Sequence, residues 1–400
     1  MKHLIKQTFV LTASNVITRV LGMLFFIILA RALSVSDYGL FRYLITISFM
    51  YGILFTGIPT ALTKFIGEDK SNKKRIAQYL SNTVILMIAA FFILCIPILI
   101  FNANKFYLIL FLFAVLVDTL YLGFIRGIIN IKKLAGFKLF ENIIQIVILS
   151  ISYIIFRQVN FTFAVVFFSF SAFLSMIIFE LISPQLKFVL KFSKEKIKQL
   201  TRYAIPVMLG SIGWTVMFGI NEIFIKYFYN TEQVGYYSVG VTLAQAFTFL
   251  PMAIATIIMP KAAGIKDKLK IIRPLGLAVI GTLLVSAIGL VLLIILKKPI
   301  LLLIFGEKYL PALVVILPLS LGQISIAIHQ IYAALWQGLN RPSIPTINIS
   351  IAALLNVIGS YFLTKSYGIV GTSISNAITS FIALISIVIL FYSKWKTLSK

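Results

Sequence analysis

Apolar stretches about as long as a bilayer is thick recur from one end of this 400-residue chain to the other. A helix needs about 20 apolar residues to cross the hydrocarbon core. A run such as VILMIAAFFILCIPILIF approaches that length without a single charge. In lipid the backbone must satisfy its own hydrogen bonds, and a helix does so within one segment. The fold class expected is therefore an all-α integral membrane protein. Twelve transmembrane segments are predicted, at 7–29, 40–64, 76–101, 106–128, 138–156, 162–184, 201–227, 235–259, 274–296, 310–336, 343–363 and 370–392. Only 12% of residues are charged, about half the fraction usual in soluble domains.

The charges that remain are lopsided: 36 basic against 11 acidic residues, a net +25. Cytoplasmic loops of membrane proteins collect Lys and Arg. With the N-terminus inside, the dense groups Lys70 to Arg75 and Lys187 to Arg202 both fall on the cytoplasmic side. The opposite side receives scattered cations such as Arg31, Lys105 and Lys308. Both termini are expected in the cytoplasm, with the protein in the cell membrane. No basic segment interleaves with aromatics outside the spans, which argues against nucleic acid as a partner. Cys95 is the only cysteine, so an intramolecular disulfide and a thiolate zinc site are both excluded. No metal or cofactor is expected. Thr12, Asn15 and Arg19 interrupt the first apolar run, which reads as a permanent span rather than a cleaved signal.

No loop is long enough to fold by itself. The longest polar connection, KFVLKFSKEKIKQLTR at 187–202, reads as a cytoplasmic linker between an N-terminal six-helix lobe at 1–186 and a C-terminal one at 203–400. Six spans per half give both halves one orientation, so a repeat would be parallel. Two echoes support it. ARALSVSDYGLFRYL after span 1 and KYFYNTEQVGYYSVG after span 7 each place an acid, an aromatic and a glycine at the entry to the next span, and Ile58-Pro59 in span 2 matches Leu250-Pro251 in span 8. SVSDYG is expected to be a tight turn, with Asp37 and Gly39 supplying its chemistry.

ILARALSVSDYGLF and IFIKYFYNTEQVGYYSVG, followed by LLIFGEKYLPALVVILPLS, LWQGLNRPSIPTINISIAALLNVI and KSYGIVGTSISNAITSF in that order, resemble segments of the oligosaccharide and polysaccharide flippases of the MOP exporter superfamily. The resemblance covers most of the chain. It implies two six-helix lobes around a central cavity, alternating access, a lipid-linked oligosaccharide as cargo and membrane lipids as surroundings. Multidrug antiporters share the fold, so fold alone does not fix the cargo.

Candidate residues follow from polarity inside the spans. Thr8, Thr12, Asn15, Arg19 and Gly22 recur at helical spacing on span 1. Arg19 sits near mid-span, where a cation must face water or a partner. It reads either as an anchor for the phosphate of a polyprenyl-(di)phosphate carrier or as half of an ion pair with Asp118 on span 4. Arg42, a turn into span 2 with Thr46 four residues on, points to a cavity mouth or snorkels to headgroups. Asp118 and Glu222 are candidate ion-coupling residues for H+ or Na+, and Glu222 also has Lys226 at i+4 as a pairing partner. Gln323, Gln330 and Gln337 form a stripe on span 10, and Ser238, Thr242 and Gln245 a polar face on span 8, suited to sugar hydroxyls or to interhelical hydrogen bonds. His329 reads as a satisfied packing residue, while Arg126, Glu141 and Glu180 read as interfacial anchors. Pro206, Gly210 and Gly213 mark a bend in span 7.

The expected function is thus a non-enzymatic, monomeric flippase for a lipid-linked oligosaccharide. The competing reading is a cation-coupled multidrug antiporter, which would concentrate acids in its cavity. A membrane glycosyltransferase or ligase would need carboxylates or a substantial loop domain, and the outer loops are short and acid-poor.

Overall fold

The computed structural model describes residues 2–68, 72–156, 159–186, 192–264 and 271–398. Among these there are helices and no strands. The helices are α1 (Lys2–Ala32), α2 (Val35–Tyr51), α3 (Ile53–Glu68), α4 (Lys73–Phe101), α5 (Lys105–Gly127), α6 (Ile131–Phe156), α7 (Phe161–Ile182), α8 (Lys194–Phe228), α9 (Thr231–Ala244), α10 (Phe249–Gly264), α11 (Ile272–Ile304), α12 (Leu313–Gly338) and α13 (Ser343–Leu398). Ten helical stretches among the described residues are long and apolar enough to cross a membrane, or eleven with α2 and α3 taken as one span bent by 55°. The long α13 turns at Gly368, whose φ of 58° breaks the helical backbone. Its two halves correspond to the last two predicted spans, so each of the twelve predictions has a helical counterpart.

Spans 2 and 8, paired above by their prolines, are both discontinuous. Span 2 breaks at Gly52, where a Cβ would come within 2.8 Å of Val115 Cγ1. Span 8 passes through a 3-10 turn, Gln245–Thr248, before α10. Pro251 lies in the first turn of α10, where its missing N–H is tolerated but its ring keeps the preceding turn from being α-helical. By contrast α8 runs as one helix through Pro206, Gly210 and Gly213.

Several helices start earlier than predicted, α2, α6 and α8 among them. Ser34 and Asp37 do not form a turn between spans. Ser34 Oγ accepts from Asp37 N at 3.0 Å and donates to Asp37 Oδ2 at 2.8 Å, a reciprocal cap that starts α2. Gly39 is therefore helical, and its function is close approach: a Cβ there would overlap the carbonyl of Thr231, while one on Gly235 would lie 2.5 Å from Val35 O. The region 187–202 is likewise helical from Lys194, and 187–191 lie outside the described residues. Tyr79 explains part of this extension, since its hydroxyl donates to Gln199 at 2.7 Å and its ring lies 4.0 Å from Lys196 Nζ.

The contacts form two compact units. The first holds 1–33 and 44–215, and the second 34–43 and 216–400. The helices α2 and α8 each contribute to both. In the first unit Leu62, Ile66, Tyr121, Phe124 and Phe137 form a core. In the second, Ile258, Ile328, Trp336 and Phe391 do so. On α11, Leu277, Ile280, Leu284, Ile288, Val291 and Ile295 are exposed at helical spacing, as a lipid-facing stripe requires.

Candidate functional site

In the first unit, α1 packs on α6. Ser14 Oγ donates to Ala135 O at 3.4 Å and Asn142 Nδ2 to Thr18 O at 3.3 Å. That contact turns Asn15 and Arg19 away from α6, and both are exposed. Gly22 faces Asn142 instead of sharing their face. Of Thr8 and Thr12 only the helical backbone is described. Arg19 forms no ion pair among the described residues, so the expected pairing with Asp118 is replaced by another.

The partner of Asp118 is Lys138. Its Nζ lies 2.6 Å from Asp118 Oδ1 on α5 and 2.9 Å from Glu141 Oε2, three residues along α6. Lys138 looks like a loop cation only if span 5 begins there; α6 in fact begins at Ile131, which places Lys138 two turns inside the helix. The signal was present as a lysine and glutamate at i, i+3 leading into an apolar run. With all three groups ionised, the cluster carries one net negative charge. Glu141 is therefore an inward-facing partner and not an interfacial anchor.

Glu180 is no anchor either. Its carboxylate accepts from Lys133 Nζ at 2.6 Å, Tyr121 Oη at 2.8 Å and the backbone N–H groups of Gln185 and Leu186, each at 2.8 Å. This saturated clasp holds the chain leaving α7 against its last turn. Arg126 is exposed at the end of α5.

In the second unit Arg42 does not snorkel. Its Nη2 lies 3.2 Å from Glu222 Oε1, with the two side chains 11% and 4% exposed. Ser238 Oγ donates to the same carboxylate oxygen at 2.9 Å. Glu222 thus pairs with Arg42 and not with Lys226. The reason is the early start of α2, which carries Arg42 two turns into the helix. Alongside it, Ser36 and Thr231 hydroxyls lie 2.7 Å apart.

A neutral polar network, missed in the sequence, lies in the same unit. Asn356 Nδ2 donates to Met217 O at 3.0 Å and Asn221 Oδ1 at 3.1 Å. Ser360 Oγ lies 2.8 Å from Asn221 Oδ1 and 3.0 Å from Asn356 Oδ1. The hydroxyls of Ser375 and Thr379 each reach Asn356 Oδ1 at 3.3 Å. These side chains are buried, so the network ties α8 to both halves of α13. Asn356 and Ser360, four residues apart in an apolar run, were the legible hint.

The glutamine expectations divide. Gln323 is buried. Gln330 is half-buried, and its Oε1 is enclosed with no hydrogen-bond partner among the described residues. Gln337 is exposed. Ser238 and Thr242 are buried, but the 3-10 turn exposes Gln245. His329 Nε2 lies 2.9 Å from Asn348 Oδ1, as a packed histidine should.

Broken apolar helices, two contact units and ionisable groups inside the spans characterise this fold. It matches an inward-facing multidrug resistance MATE family transporter at a TM-score of 0.75 and 13% identity, over 95% of this chain and 96% of that one. It matches lipid II flippase MurJ, inward closed, at 0.75 and 16% identity, over 96% and 87%. A MOP-superfamily transporter from Pyrococcus furiosus, for which a reversed polarity of the binding pocket is described, matches at 0.65 and 14% over 99% and 96%. The chain belongs to the polysaccharide biosynthesis protein family, matched over residues 4–263. An uncharacterized membrane protein of Methanocaldococcus jannaschii, MJ1068, is 26% identical over 196 residues, 48% of this chain; the match spans only 38% of that protein's length. The three structural neighbours named here are two transporters and a flippase.

Proposed function

We propose that the protein flips a polyprenyl-(di)phosphate-linked oligosaccharide from the inner to the outer leaflet by alternating access, for cell-surface glycan synthesis. Family membership supports the cargo class, and one observation carries the site: Arg19 is exposed within a membrane span and has no ion-pair partner among the described residues. A guanidinium presents paired donors matched to phosphate oxygens. In this reading Arg19 and Asn15 receive the carrier's phosphate; among the glutamines of the second unit, exposed Gln245 is the one best able to meet sugar, with Gln330 half-buried and Gln323 buried. Arg42 acts through the pair it makes with Glu222. The two contact units act as the moving parts, and the protein works as a monomer. An inside-negative potential would favour outward movement of an anion by about 2.3 kcal/mol per charge per 100 mV.

A second reading has its own observation. The net negative Asp118–Lys138–Glu141 cluster suits a coupling cation, H+ or Na+, and so a cation-coupled multidrug antiporter; Glu222, consumed by Arg42, is the weaker coupling candidate. Reconstituted vesicles separate the two. Translocation of a fluorescent lipid-linked oligosaccharide supports the flippase. Ion-driven uptake of a lipophilic cation, with no movement of the labelled lipid, would replace it.

The proposed topology has both termini cytoplasmic. Cysteines at Lys194 and Lys308 in a Cys95→Ala background should react with an impermeant reagent from inside and outside, respectively. The reverse pattern would invert the protein.

A further inference from the structure

The two halves of α13 leave between them a groove of about 300 Å³. Ile344, Ile347 and Ile351 form one wall, and Ile382 and Leu390 the other. Ile347 and Ile351 are 60% and 56% exposed, so the groove opens on the side of α13 that meets lipid. Its polar groups are already occupied. Asn348 Nδ2 donates to Ser386 Oγ at 2.6 Å, Ser386 Oγ donates to Ile382 O at 2.7 Å, and Asn348 Oδ1 is taken by His329. What remains for an occupant is hydrocarbon.

Apolar shape alone cannot choose among lipids, because every acyl chain is as apolar as the groove. Charge can. Arg341 lies one turn before Ile344, the first residue of one wall, and its carbonyl accepts from Ile344 N at 3.3 Å. Its side chain is exposed and forms no ion pair among the described residues. We propose that this groove binds an acyl chain of an anionic phospholipid from the leaflet on the Arg341 side, with the lipid phosphate on the Arg341 guanidinium. The site is separate from the cargo reading and stands or falls without it.

The test uses the full-length protein in vesicles of phosphatidylcholine and phosphatidylglycerol. A Cys95→Ala, Ile351→Cys variant carries a bimane label, and nitroxide-chain versions of each lipid serve as quenchers. Phosphatidylglycerol should quench at about fivefold lower mole fraction than phosphatidylcholine, the preference that one basic residue contributes near the surface. Arg341→Gln should abolish the preference. A label on Phe362→Cys, at the far end of the same exposed stripe, should show none. Equal quenching by the two lipids at Ile351→Cys, or a preference that survives Arg341→Gln, would overturn the site. If the labelled variant fails to fold, phosphatidylglycerol retained by purified wild type and Arg341→Gln decides the matter: a fall supports the site and equal retention rejects it.

Discussion

Arg19 and Arg42 are the same residue in neighbouring apolar spans, and the protein treats them oppositely. Arg42 is enclosed and meets Glu222 at 3.2 Å. Arg19 is exposed on α1 with no carboxylate partner among the described residues. An arginine at the centre of a span costs about 2.5–3.5 kcal/mol to insert, and one nearer the end costs less. For Arg42 that cost is offset inside its own unit, by an acid and by the hydroxyl of Ser238. For Arg19 no carboxylate among the described residues offsets it, which is why its charge reads as available to a ligand. A membrane arginine is architecture when it brings its counter-charge with it, and a candidate site when it does not.

The largest effect expected is on the paired side of this comparison. Glu222→Gln leaves Arg42 buried without its counter-ion and should cost about 3–5 kcal/mol, seen as a lower thermal midpoint in detergent. Arg42→Met combined with Glu222→Leu should recover most of the loss. Single variants that melt like wild type would remove the structural role of the pair.

Next comes the crossing beside it. Gly235→Leu forces a side chain against the backbone of α2, and overpacking of this kind costs about 1–3 kcal/mol. Gly276→Leu, at an open position on α11, should melt unchanged. Equal shifts in the two variants would mean that the close approach of Gly39 and Gly235 contributes nothing.

A smaller effect is expected where exposure is greater. Asp118 and Lys138 are 24% and 29% exposed, so Asp118→Asn should cost about 1 kcal/mol or less. Exchanging Asp118 with Lys138 should restore part of that loss, and exchanging it with Arg19 should not. Rescue by the Arg19 exchange would reinstate the pairing that the structure replaced.

Much of the fold was legible, because span length, apolarity and loop charge are local properties. Both spans that carry the matched prolines are broken, span 8 just before Pro251 and span 2 at Gly52, seven residues before Pro59. What was not legible depends on rotation about a helix axis and on where a helix starts. Starting span 2 at residue 40 made Asp37 and Gly39 turn residues and put Arg42 near headgroups; starting it at Val35 makes them a cap, a crossing and a buried cation. Starting span 5 at residue 138 put Lys138 at the very edge of the span, so Asp118 was offered Arg19. The Asn221–Asn356 network needed three helices brought together, and single polar residues in apolar runs do not announce such partners.

The measurement closest to the central claim is carrier binding by Arg19 variants. Purified wild type, Arg19→Lys and Arg19→Ala should melt alike, because no ion pair among the described residues is lost. A charge-assisted hydrogen bond contributes about 1.5–3 kcal/mol. Arg19→Ala should therefore bind a polyprenyl-phosphate oligosaccharide roughly tenfold or more weakly, with Arg19→Lys between the two and the free oligosaccharide bound equally by all three. Equal carrier affinity in wild type and a folded Arg19→Ala would contradict the account and place the phosphate site elsewhere.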